Sequence, residues 1–167
     1  MAAHQWMLRV ASVVLGLVLA AAFAANFGCS CGCGGSKESL SADDQAVVDE
    51  VRASGINVMT ATELKKELAS ERPPVVVDVL SAESYAATHI KGSISIPSER
   101  IPEAAAQQLP DKTARIVVYC ASFQCAASTG AASALQKLGY TNVYDFKGGL
   151  KQWRELGGPV EGSATGE

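Results

Sequence analysis

The chain predicts an α/β domain on a mostly parallel five-stranded sheet, with a leading segment that stands outside it. Three observations carry this expectation. Short β-branched runs, above all "VVVDV" at 75–79 and "IVVY" at 116–119, read as strands buried on both faces. Stretches with helical signals separate them, so strands and helices alternate, which is the pattern of a parallel sheet covered by helices on both faces. The first 35 residues differ in character: an uncharged apolar run gives way to a Gly/Cys-rich stretch. At 167 residues there is room for one domain rather than two. The net charge of -3 argues against a nucleic-acid partner, which calls for a basic face.

The leading segment comes first. Arg9 precedes "VASVVLGLVLAAAFAA", Val10 to Ala25, a basic flank before an apolar core. Residues 1–28 are therefore expected to be a signal peptide or a membrane anchor. Ala22-Phe23-Ala24 offers a small-x-small cleavage signal, and Gly28-Cys29 offers a lipoprotein-type end, although Asn26 and Phe27 depart from that pattern. All three forms (cleaved signal, lipid anchor on Cys29, uncleaved anchor) put the remainder outside the cytoplasm, in a periplasmic or other extracytoplasmic space, because Arg9 favours the inside. Residues 29–55 are expected to form a Gly/Cys-rich tether and a linker helix. In "CSCGCGGS" the thiols of Cys29, Cys31 and Cys33 lack an adjacent histidine as fourth ligand, so no metal is expected there, nor any other cofactor. Ser41, Asp43 and Asp44 open the helix, and Gly55 ends it.

The domain is expected over 56–162. "INVMT" is strand-like and 62–68 helical; Pro73-Pro74 breaks the chain before the strand 75–79. "AESYAATHI" reads as a short helix, "SISIP" as a short strand closed by Pro97, and "PEAAAQQL" as a helix ended at Pro110-Asp111. After the strand 116–119 come a short loop and a helix over 126–138, ended by Gly139. "NVYDF" is the last strand, Lys147-Gly148-Gly149 a turn, and "LKQWREL" the last helix, stopped by Gly157-Gly158-Pro159.

The chemistry concentrates in "CASFQC". Cys120 falls just past the carboxyl end of a buried strand, where open α/β sheets place their ligands. A helix begins within a few residues, so its free N–H groups and positive end should face the loop, favour an anion and lower the pKa of the thiol. Cys120 is the candidate nucleophile. The backbone of Ala121, Ser122, Phe123, Gln124 and Cys125 is the candidate cradle for an anionic sulfur.

The blocks "VVVDVLSAESYAATHIKGSISIP" and "IVVYCASFQCAASTGAASALQKLGYTNVYDFKGGLKQWRELGGPV" resemble the two signature regions of a rhodanese domain, in order and spacing. The resemblance spans about 56–160. It implies a five-stranded parallel sheet with helices on both faces, and sulfane-sulfur transfer through a persulfide on Cys120. It also implies a small sulfur donor and a thiol or protein acceptor as partners. Asp78 would lie near the floor of the site, His89 and Gly92 would shape a supporting turn, Lys147, Gly148 and Gly149 would face the loop, and Trp153 would hold the last helix.

Two departures bear on the substrate. Many rhodaneses carry Arg two residues after the strand Asp, where this chain has Leu80, and many close the loop with Arg, where it has Cys125. A dianion such as thiosulfate would want those cations. Phosphatases of this fold need an Arg six residues after the nucleophile, where Ala126 stands. Two further readings remain: a thiol–disulfide protein using Cys120 and Cys125, with Cys125 as resolving thiol, and a non-catalytic binding module of the same fold.

Overall fold

The computed structural model describes residues 40–165. The segment expected to direct export, the position expected for lipidation at Cys29 and the Cys29/Cys31/Cys33 cluster lie outside these residues. No helix among the described residues is long and apolar enough to cross a membrane.

In chain order the elements are α1 (Ala42–Ala53), β1 (Asn57–Val58), α2 (Ala61–Leu68), β2 (Val75–Asp78), α3 (Ala82–Ala87), β3 (His89–Ile90), β4 (Ile94–Ser95), α4 (Ile101–Gln108), β5 (Ile116–Tyr119), α5 (Ala127–Lys137), β6 (Val143–Phe146), α6 (Gly149–Glu155) and β7 (Val160–Glu161). Five strands form one sheet in the order β1-β6-β5-β2-β4, and every pairing in it is parallel. The three four-residue strands occupy the centre, and the edges are only two residues long, which leaves little unpaired backbone open to another chain.

Local signals explain the helix starts. Ser41 caps α1 by accepting the Asp44 N–H. Thr60 and Glu63 form a reciprocal capping box on α2, worth about 1 kcal/mol. Pro102 sits in the first turn of α4, where its missing N–H costs nothing.

The alternation of side chains along β5 builds both halves of the core. Ile116 and Val118 face the side covered by α4 and α5, packing with Ile101, Ala105, Ala131 and Leu135. Val117 and Tyr119 face the other side, with Leu64 of α2 and Trp153 of α6. Two-residue periodicity carries Cys120, one position past the strand, onto the α5 side. Trp153 is buried against Phe146 and donates its indole N–H to Pro159 O at 2.9 Å.

Two features differ from the expectation or extend it. The helix read over "AESYAATHI" stops at Ala87, and His89–Ile90 is a strand that pairs antiparallel with Val160–Glu161, outside the main sheet. Thr88 is already extended, and the Ile90 N–H donates to the buried Tyr119 hydroxyl at 2.9 Å, a tertiary bond that no local pattern announces. Helix α1, read as a linker, buries Val48 and Val51 and falls in the same compact unit as the sheet.

Candidate active site

The register of the sheet assembles the site. Asp78, Tyr119 and Phe146 pair side by side at the carboxyl ends of β2, β5 and β6. The next residues along the two adjacent strands β5 and β6 are Cys120 and Lys147, so both emerge at one edge. The loop 121–126 is then held from below by α6. The Leu150 N–H donates to Cys120 O and the Lys151 N–H to Ala121 O, both at 2.9 Å. That close approach needs Gly149, whose φ is +61° and whose added Cβ would stand 2.4 Å from Cys120 O.

Inside the loop Cys120 is fully buried. Its thiol donates to Cys125 O at 3.3 Å and lies 3.3 Å from the Ser128 hydroxyl, with Ser122 O at 3.8 Å. The Cys125 N–H donates to Ser122 O at 3.0 Å, closing a turn that folds Cys125 back over Cys120. Lys147, itself buried, donates its ammonium to Cys125 O.

These surroundings reverse one expectation. The Cys120 thiol is not acidified by the helix behind it: burial pushes it up to about 11, and its interaction with the Cys125 thiol adds to the rise. The Ser128 side chain and N–H, at the start of α5, oppose this without overcoming it. Cys125 behaves in the opposite sense. Burial raises it, but the Cys120 thiol, the N–H groups of Ala127 and Ala121 and the charge of Lys147 together hold it below the usual thiol range. Burial thus disfavours the anion at Cys120, while the groups around the half-buried Cys125 favour it there. The groups that favour an anion are divided: Ser128 acts on Cys120, while the N–H groups of Ala121 and Ala127 and the Lys147 charge favour an anion at Cys125.

Of the other residues read from the sequence, Ser122, Phe123 and Gln124 form the outer wall of the loop. Phe123 and Lys147 line a groove between the loop and α1, together with Leu40, Val48, Met59 and Gln152; Cys120 is not among its lining residues. Gln124 Nε2 donates to Asp44 of α1 at 3.5 Å, so this helix touches the loop.

Asp78 and His89 make their bonds elsewhere. Asp78 accepts the Leu80 N–H at 2.9 Å, and burial raises its pKa. His89 stacks on Tyr85, with Nδ1 2.7 Å from Tyr85 O. Both shape the neighbouring turn; neither bonds to the loop.

Three contributors had gone unread. Ser128 touches Cys120 from the first turn of α5, and a hydroxyl eight residues past the cysteine, at a helix start, was the available signal. Asp145 is fully buried, accepts from Thr129 at 2.8 Å and is raised by burial, with Lys147 opposing. Gln152 lies against Gly148, whose Cβ would overlap its side chain. Nothing in the local sequence points to these last two.

Comparison with known proteins agrees with the fold. A family model described as a rhodanese-like domain matches residues 60–156. The thiosulfate sulfurtransferase PspE of Escherichia coli (strain K12) is 37% identical over 75 residues, covering 45% of this chain and 69% of the relative. The adenylyltransferase and sulfurtransferase uba4 of Ogataea parapolymorpha is 34% identical over 88 residues, 53% of this chain, but the match spans only 22% of that longer protein. The solution structure of the rhodanese-like domain of the Alr3790 protein from Anabaena sp. superposes with a TM-score of 0.60 at 31% identity, over 66% of this chain and 82% of that one. The chain belongs to the rhodanese-like domain family.

Proposed function

We propose that this protein is a sulfurtransferase that carries sulfane sulfur as a persulfide on Cys120, taking it from a small donor and delivering it to a thiol or protein acceptor. The observation that carries this reading is the placement of Cys120: the one cysteine at the carboxyl end of a central strand, facing the start of a helix, with a second thiol beside it. The first half-reaction starts from the Cys120 thiolate. The Cys120 sulfur then attacks the outer sulfur of a donor R–S–SH; the donor's S–S bond breaks, RS⁻ leaves, and Cys120–S–SH remains. In the second half-reaction an acceptor thiolate attacks that outer sulfur and regenerates Cys120. Burial raises the Cys120 pKa, so loading should quicken as pH rises and the thiolate appears.

Charge favours an uncharged or singly charged donor. Leu80 and Cys125 stand where an Arg would serve a dianion, and the Lys147 ammonium is already bonded to Cys125 O. Intact mass before and after donor exposure tests both points. An organic persulfide should add one sulfur, removable by cyanide, stably to Cys125→Ala and transiently to the wild type, about tenfold or more faster than thiosulfate does. No added sulfur on either protein from any donor, with no sulfide released by the wild type, would end the sulfurtransferase reading; equal rates would end the charge argument.

We place this chemistry outside the cytoplasm, on the strength of Arg9 and the apolar run 10–25. Residues 1–40 fused to a reporter active only after export should give signal, and a silent fusion with an active cytoplasmic control would overturn the location.

A further inference from the structure

Cys125 is more than a neighbour of the nucleophile. The turn closed by its N–H brings it back over Cys120, and the Cys120 thiol lies 3.3 Å from its carbonyl oxygen. Its sulfur interacts with the Cys120 sulfur and receives the N–H groups of Ala121 and Ala127. Any sulfur held by Cys120 thus sits beside a second thiol on the same short loop, half-buried where Cys120 is fully buried.

We propose that Cys125 resolves the Cys120 persulfide within the loop, releasing sulfide and closing a Cys120–Cys125 disulfide, so that the protein is a sulfide-releasing persulfide reductase as well as a sulfur carrier. This rests on the Cys120 persulfide of the preceding reading and adds a second fate for it. The step is Cys120–S–S⁻ + HS–Cys125 → Cys120–S–S–Cys125 + HS⁻. The Cys125 sulfur attacks the inner sulfur, Cys120 Sγ. The bond between inner and outer sulfur breaks, and the outer sulfur leaves with the bonding pair and the Cys125 proton. The sulfane sulfur is reduced to sulfide while the two cysteines are oxidised, so no external oxidant enters. A low-molecular-weight thiol or a dithiol protein then supplies two electrons to reopen the disulfide.

The site favours this direction over a simple handover of sulfur to Cys125. Attack on the outer sulfur, by Cys125 or by an outside acceptor, returns Cys120 as a thiolate to a fully buried position beside the Cys125 and Ser122 carbonyl oxygens, so either transfer is slower than the resolving step. Attack on the inner sulfur expels the charge as hydrosulfide, which departs into water, and the better leaving group leaves faster. The cation usual at position 125 in relatives would hold an anionic donor there; a thiol in that place changes the outcome from holding to resolving.

The test uses the full chain, exposed anaerobically to an organic persulfide and then freed of excess donor. Trypsin releases both cysteines in one peptide, 116–137, between Arg115 and Lys137. In the wild type that peptide should end lighter by two hydrogens, with one equivalent of sulfide released per chain and no added thiol. Unexposed protein should show neither change. Cys125→Ser and Cys125→Ala, each checked for a native thermal transition, should instead retain one extra sulfur on Cys120, with a lifetime longer by about tenfold or more. A wild type that keeps its extra sulfur as long as the variants do, or that carries it on Cys125, overturns the proposal. Failure of wild type and variants alike to take up sulfur would remove the Cys120 persulfide itself, and the resolving step with it.

Discussion

Replacing Cys120 with serine is expected to abolish sulfur loading and transfer, by on the order of 10³-fold or more, while the domain stays folded. A hydroxyl of nearly the same size fills the position between Cys125 O and Ser128, so packing is preserved. It cannot, however, hold a sulfane sulfur or leave again as a thiolate. Retained turnover in this variant would remove Cys120 from the chemistry. The wild type adds a pH signature. Iodoacetamide reacts with the thiolate, so at neutral pH it should label Cys125 ahead of Cys120. Labelling of Cys120 should climb with pH toward about 11, because a raised pKa means that the anion appears only as pH rises through it. Peptide mapping across a pH series reads both sites at once. Cys120 labelled first at pH 7 would show that the charge of the pair rests on the buried sulfur instead.

Gly149→Ala should have the larger effect on stability. Alanine at a φ of +61° costs about 1–2 kcal/mol from backbone strain alone. Its Cβ would also meet Cys120 O at 2.4 Å and the Ala121 carbonyl carbon and Ser122 nitrogen at 2.8 Å, all backbone atoms that cannot swing aside. The loop and α6 must separate, and the bonds from Leu150 and Lys151 N–H to the loop are lost. The sum is about 3 kcal/mol or more, a drop in Tm on the order of 10 °C, with sulfur loading impaired in what remains folded. Gly92→Ala is the matched comparison: its φ is +77°, but nothing lies within 4 Å of the added Cβ, so only the strain term should appear. Equal losses in the two variants would mean that the contact between α6 and the loop contributes nothing.

Much of this molecule was legible in its sequence. The β-branched runs at 75–79 and 116–119 had to be central strands, because such residues stack well on both faces of a covered sheet. The breaks at Pro73-Pro74, Gly139 and Gly157-Gly158 bounded the elements, since proline and glycine act on their own backbone. Cys120 was legible for the same reason: its position just past a strand, with a helix following, is a local fact, and the family resemblance carried its role. What the local pattern misread was what depends on a partner far along the chain. His89 and Ile90 left the helix because a hydroxyl 29 residues away accepts the Ile90 N–H. Ser128 came to Cys120 through the pitch of α5, and Gly149 is held to glycine only because α6 docks against the loop.

The charge state of the two thiols lay furthest from the sequence. A cysteine before a helix should be acidic by local reasoning, and Cys120 is not. A pKa reflects the solvent excluded and the dipoles gathered by the whole fold. Here the fold buries the Cys120 sulfur beside carbonyl oxygens and the Ser128 hydroxyl, and places the Lys147 ammonium on the carbonyl of half-buried Cys125, close enough for its charge to favour an anion there. The sequence by itself determined that two thiols share one loop; only the tertiary structure decided which of them carries the charge, because that depends on burial and dipole direction, which no single stretch of chain contains.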